Sequence, residues 1–179
     1  AQILAEELPL DFSRIRTVPA PFAAQFGVGP DASQATTGSR GVRAYFDHML
    51  DAGATALIGF SQGAIMALES TQQDVFLAGR VLALSGRFAQ LPKAPHAHTT
   101  LHFVHGKADK VMHYGYTVTA AEHLVSQGSD VTADVIPFVG HEVNQDVVDT
   151  AVERLLGHLP KRHWEAVQQA AEQDDTAED

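Results

Sequence analysis

The sequence predicts an α/β fold, a parallel sheet covered by helices on both faces, and three observations predict it. Apolar runs of strand length alternate with longer stretches of helical periodicity, the pattern of βαβ units. One of these strand-to-helix junctions is a Gly-x-Ser-x-Gly turn. The chain has 179 residues, 45% of them hydrophobic, which is enough for one buried core.

Taken in order, the first strand candidate spans residues 14–20, and residues 22–40 after it are rich in Gly, Ser, Thr and Gln and so form a loop. A helix is expected over residues 42–51, then a strand over 54–60 and a helix over 62–72. The run Arg80-Val81-Leu82-Ala83-Leu84-Ser85 gives the next strand. Residues 88–99, with Pro92 and Pro95, form a second loop. Strands follow over 100–105 and 131–138, separated by a helix over 114–127. In the helix expected over 144–156, Val147, Val148, Ala151, Leu155 and Leu156 recur at helical spacing, which leaves Asp146, Asp149, Glu153 and Arg154 for the outer face. A last helix is expected over 161–171, and the acidic stretch 172–179 reads as a solvated, frayed tail. Neither loop divides the chain into two parts that each hold a core, so one domain over residues 1–179 is expected.

With 12 basic and 22 acidic residues the formal net charge is −10, which argues against nucleic acid as a partner because phosphate binding needs clustered Lys and Arg. No stretch approaches the ~20 apolar residues of a membrane helix, and the first residues lack the basic and apolar regions of a signal peptide. A soluble, cytoplasmic protein without membrane insertion is the expectation. The absence of Cys excludes disulfides, thiolate metal sites and a cysteine nucleophile.

The chemistry starts from Gly59-Phe60-Ser61-Gln62-Gly63, between an apolar strand and the helical run from Ala64 to Leu68. A serine in so sharp a turn needs minimal neighbours two residues away on each side, and Gly59 and Gly63 meet that need. The turn lifts the Ser61 hydroxyl above the sheet edge, and the helix start offers the Gln62 N–H to an oxyanion. The competing reading makes Ser61 a helix N-cap.

A hydroxyl nucleophile needs a base, and the base needs an acceptor that holds its tautomer. After Ser61, Asp109 falls in the loop His105-Gly106-Lys107-Ala108-Asp109-Lys110-Val111, at the carboxyl end of a strand. Its alternative is a turn Asp paired with Lys107 or Lys110. Asp130 and Asp134 flank the start of the next strand, at the wrong end of the sheet. Of the 10 histidines, His141 alone follows the acid and closes the last strand, in Gly140-His141-Glu142-Val143. Ser61 as nucleophile, His141 as general base and Asp109 as its orienting acid are thus the candidate catalytic residues. His96 with His98 and His102 with His105 are spaced closely enough to raise a metal site, but the first pair is in an irregular loop and the second, three apart on a strand, faces opposite sides. No metal is expected.

The segments Leu57 to Ala64, His105 to Val111 and Gly140 to Val143 resemble the phospholipase/carboxylesterase family of α/β-hydrolases, the carboxylesterase/thioesterase 1 type, over roughly residues 54–156. The resemblance implies an α/β-hydrolase fold and the same triad. It also implies hydrolysis of carboxyl esters, thioesters or lysophospholipids without a cofactor. Short to medium acyl chains are expected; Phe22, Phe26, Phe60, Met112 and Phe138 fall near the active edge, where they line an acyl pocket or, at least as well, pack into the core. The departure from the family is at the start, where no His-Gly-x-Gly element precedes Ser61. The expectation is a sheet lacking its first strands and one half of the oxyanion hole: a fragment, a reduced enzyme, or a chain completed by a partner. An open sheet edge would favour a homodimer. The rival readings are a catalytically impaired α/β-hydrolase-like binding module and another triad hydrolase, such as a peptidase or a dienelactone-type enzyme.

Overall fold

The computed structural model describes Gly53, residues 55–95 and residues 97–175, for residues 170–175 the backbone only. The strand expected over 14–20, the loop over 22–40, the helix over 42–51 and the proposed gap in the oxyanion hole all lie outside the described residues, as do Phe22, Phe26, His96 and the last four residues of the tail.

Among the described residues the elements alternate as β1 (Ala56–Phe60), α1 (Gln62–Ser70), β2 (Arg80–Leu84), β3 (Thr100–Gly106), α2 (Gly115–Ser126), β4 (Val131–Ile136), α3 (Gln145–Gly157) and α4 (Lys161–Asp175). The strands lie in the order β1-β2-β3-β4 and every pair is parallel. All four carboxyl ends therefore open onto one edge, which is where loops can gather side chains into a site.

The strands sort their side chains by alternation. Val81, Ala83, Leu101 and Phe103 face one way, and with Ala64 and Leu68 of α1 and Ala120, Ala121 and Leu124 of α2 they form the larger core. Leu82, Leu84 and Val104 face the other way against Val147 and Ala151 of α3. Helices thus cover both faces, as predicted.

The amino edge of the sheet is polar. Asp130 accepts from the Thr100 hydroxyl at 2.8 Å and the Lys161 N–H at 2.9 Å, and it pairs with His158 at 3.1 Å. Arg80 donates to the carbonyls of Arg154 and His158, each at 2.8 Å. These bonds fasten the junction of α3 and α4 under the sheet, far along the strands from the carboxyl edge.

Four differences from the sequence reading have physical causes. Strand β4 stops at Ile136, because Pro137 has no N–H for the ladder and Phe138 turns to a positive φ of 64°. Helix α1 stops at Ser70, where the Thr71 hydroxyl takes the Leu68 carbonyl at 2.6 Å. Helix α4 runs to Asp175, into the stretch expected to fray. In α3, Leu156 is 60% exposed while Arg154 is half-buried, because its guanidinium grips both carboxylate oxygens of Asp134, at 2.8 and 2.6 Å. No helix among the described residues is long and apolar enough to cross a membrane.

Candidate active site

Strand β1 ends at Phe60, and the chain swings into α1 through Ser61 at φ 53° and ψ −115°. That backbone is unfavourable for a residue with a side chain, and the surroundings impose it. The Ser61 N–H is tied to the Leu84 carbonyl of β2 at 2.9 Å, while its own carbonyl takes the Ile65 N–H at 3.1 Å and opens the helix. Gly59 is required: a Cβ there would stand 2.3 Å from the backbone of Gly63. A Cβ on Gly63, by contrast, meets nothing within 4 Å among the described residues. Ser61 makes no side-chain cap bond to α1, so the N-cap reading does not apply.

The acid loop leaves β3 after Gly106. Its backbone is tied to the chain that leaves β4: Lys107 N–H donates to Ile136 O and Ala108 N–H to Val139 O, both at 2.8 Å. The loops meet so closely that a Cβ on Gly106 would lie 2.3 Å from Val139 O. Glycine thus lets the acid loop and the base loop touch. Three residues beyond His141, the Asn144 side chain accepts from the Val147 N–H at 3.1 Å and caps α3, which fixes where the base loop ends.

These constraints bring the three predicted side chains together. The Ser61 hydroxyl is 2.9 Å from His141 Nε2, and His141 Nδ1 is 2.7 Å from Asp109 Oδ2. A carboxylate only accepts, so Nδ1 carries the proton and Nε2 is left to accept from Ser61. Asp109 is buried, and its Oδ1 accepts from the N–H groups of Val111 and Met112, each at 2.8 Å. Burial pushes the Asp109 pKa up, but the bonds from Met112, His141 and Val111 outweigh it and hold the carboxyl below its ordinary value. The acid meets these groups and not Lys107 or Lys110, which are exposed. Gln62 is the first residue of α1, and an N–H in a helix's first turn has no acceptor within its own helix.

The competing carboxylates are engaged elsewhere, Asp130 at the amino edge and Asp134 with Arg154. His102 and His105 do face opposite ways: His102 is bonded to Thr132 at 2.8 Å and His105 to Thr117 at 2.8 Å. Among the described residues no three His, Asp or Glu side chains cluster as a metal site. Phe60 and Phe138 are not core residues. Phe60 is 38% exposed with its ring centroid 5.0 Å from that of His141, and Phe138 is 97% exposed at the end of β4. Met112 is partly buried and serves Asp109 through its backbone.

One neighbour of the site was not legible as such. His105 Nε2 lies 3.3 Å from Asp109 Oδ2, and the available signal was its place four residues before the acid, at the end of the strand that leads into the loop.

Comparison with known proteins agrees with this architecture. The phospholipase/carboxylesterase family profile matches residues 32–159. Esterase YpfH of Escherichia coli (strain K12) is 44% identical over 114 residues, covering 64% of this chain and 49% of that protein. The chain thus spans about half the length of this curated relative. The crystal structure of esterase PE8 superposes with a TM-score of 0.56 at 27% identity, covering 66% of this chain and 56% of the other. SOBER1 of Arabidopsis thaliana superposes with a TM-score of 0.56 at 20% identity, covering 71% and 65% of the two chains, and shows the shared fold. With the matched segment taking in the Ser61 turn, the acid loop and the base loop, this chain belongs to the phospholipase/carboxylesterase family and has its α/β-hydrolase fold.

Proposed function

We propose that the chain is a serine carboxylesterase that hydrolyses short to medium acyl esters through an acyl-enzyme, with Ser61 as nucleophile, His141 as general base and Asp109 as the orienting acid. The observation that carries this reading is the hydrogen-bonded series from Ser61 to His141 to Asp109, at 2.9 and 2.7 Å, on a strained turn at the carboxyl edge. The name of the E. coli relative, an esterase, supports the same chemistry.

In the first half-reaction the Ser61 oxygen attacks the ester carbonyl carbon while His141 Nε2 takes the hydroxyl proton. The carbonyl electron pair moves onto oxygen, and the Gln62 N–H donates a hydrogen bond to the resulting oxyanion. When the pair returns, the ester C–O bond breaks and His141 passes its proton to the departing alkoxide. Water then replaces the alcohol, gives its proton to His141 and attacks the acyl carbon, and Ser61 leaves with that proton. Asp109 remains a carboxylate throughout and stabilises the imidazolium. Exposed Phe60, whose ring lies beside that of His141, offers apolar contact to an acyl chain. Thioesters and lysophospholipids pass through the same tetrahedral intermediate and are the next substrates to assay.

The test is covalent labelling of the folded chain with a fluorophosphonate, followed by mass mapping. An adduct at Ser61, absent in Ser61→Ala, together with turnover of a p-nitrophenyl ester is the expected result. No adduct at Ser61 in folded protein would overturn the triad; an adduct without turnover would favour the impaired binding module.

A further inference from the structure

His105 is the penultimate residue of β3 and is fully buried. Its two ring nitrogens have different partners. Nε2 is 2.8 Å from the Met112 carbonyl, which only accepts, so Nε2 carries the proton. Nδ1 is 2.8 Å from the Thr117 hydroxyl of α2. Burial, above all, holds the ring below its ordinary pKa, against the opposing pull of the Met112 carbonyl and Asp109, which favours the neutral ring; in that form Nδ1 accepts the Thr117 O–H, whose other acceptor in reach, the Gly86 carbonyl, is farther away at 3.4 Å. With the tautomer fixed, Nε2–H has a second group in reach, Asp109 Oδ2 at 3.3 Å. This is the oxygen that receives His141 Nδ1–H at 2.7 Å.

The carboxylate of Asp109 is thereby held on two sides. The backbone N–H groups of Val111 and Met112 fix Oδ1, and Oδ2 receives the His141 Nδ1–H with the His105 Nε2–H close by at 3.3 Å. His105 also draws the Met112 carbonyl inward, so the same ring closes the loop whose N–H groups grip Oδ1. Thr117 anchors the ring from a helix that carries no other part of the series.

We propose that His105 is a positioning residue: its Nε2–H, oriented by Thr117, closes the acid loop on Met112 and keeps Asp109 Oδ2 aimed at His141. The inference rests on the triad proposed above. An apolar side chain of similar size would fill the space but supply no donor, and that difference separates positioning from packing.

The experiment measures the fluorophosphonate labelling rate at Ser61 across pH in the full chain, for wild type, His105→Leu, His105→Gln and Thr117→Val. It also records the low-field proton resonance of the His141 Nδ1–H. Gln presents an amide N–H near the position of Nε2, so it should recover most of the rate. His105→Leu should lower the high-pH plateau by about tenfold or more, because a misplacement on the order of 1 Å can cost 10²-fold, and should shift or remove the low-field resonance. Thr117→Val should give a smaller loss in the same direction. Wild-type labelling with an unchanged plateau and resonance in folded His105→Leu overturns the inference and leaves the triad standing. Equal losses in the Leu and Gln variants overturn it as well, since they would mean packing alone. If His105→Leu does not fold, a wild-type rate in Thr117→Val overturns the inference. Failure of wild type to label Ser61 removes the triad reading, and the role of His105 with it.

Discussion

At the scale of single residues, the site depends on one acceptor that holds one tautomer. Asp109 accepts three N–H groups, from Val111, Met112 and His141, with the His105 Nε2–H 3.3 Å away, and only a carboxylate can face all of these donors as an acceptor. Asp109→Asn keeps the volume but presents an amide that must donate somewhere, which favours the wrong His141 tautomer. The labelling rate at Ser61 should fall by about 10³–10⁴-fold while Ser61→Ala labels not at all. A rate within tenfold of wild type in folded Asp109→Asn would show that His141 needs no orienting acid. The meeting of Ser61, Asp109 and His141 was legible in the sequence because chain order and strand ends place each of them on one edge. His105 was not: strand alternation gives the side it faces, but its contact with Asp109 depends on how the loop returns, and no spacing rule carries that.

Elements position the site through two close approaches of backbone to backbone. The first, at Gly59, allows the turn at Ser61 to form, and the second, at Gly106, lets the acid loop lie against the base loop. Gly106→Ala would place a Cβ 2.3 Å from Val139 O and 2.5 Å from Gly140 O, so backbone must move on the His141 side. The expected stability loss is about 1–3 kcal/mol. The labelling rate should fall with it, by more than the folded fraction explains, because the Asp109–His141 distance is what the shift disturbs. Urea unfolding and labelling measured on the same preparation check this, and a variant with both values unchanged would contradict the close approach. The order and type of the described elements were legible from periodicity, but their ends were less so. Strand β4 was read through Pro137 and Phe138 because apolar character continues beyond the last ladder bond, and α4 was read short because acidic composition suggests solvation without excluding a helix.

Across the whole molecule the two edges of the sheet do different work. The positive-φ residues Ser61, Ser85 and Phe138 all stand at carboxyl ends of strands, so the described non-glycine backbone strain is collected where the site is. The amino edge instead holds a polar network that fastens α3 and α4, and His102 is a fully buried member of it. Arg80 stands 3.4 Å from His102 Nε2 and can only donate, so Nε2 accepts and Nδ1–H donates to Thr132. Protonating Nε2 would set a second cation against the guanidinium. Burial first, then His158 and Arg80, hold the His102 pKa down to about 3, against an ordinary value of 6.5. Between those values the unfolded chain binds a proton that the folded chain refuses, so stability falls as pH falls through that window. Asp109 and Asp130, with lowered pKa values, lose their contributions only in the more acidic carboxylate range. His105, also lowered, adds a loss of the same sign. From about pH 7 to about pH 5 the His102 share is roughly 2 kcal/mol. Urea unfolding at the two pH values should therefore show a smaller acid-induced loss in His102→Gln than in wild type, by about that amount, whatever the variant's own stability. The same loss in both proteins would mean that His102 takes its proton in the folded state, and that the amino-edge network tolerates the charge.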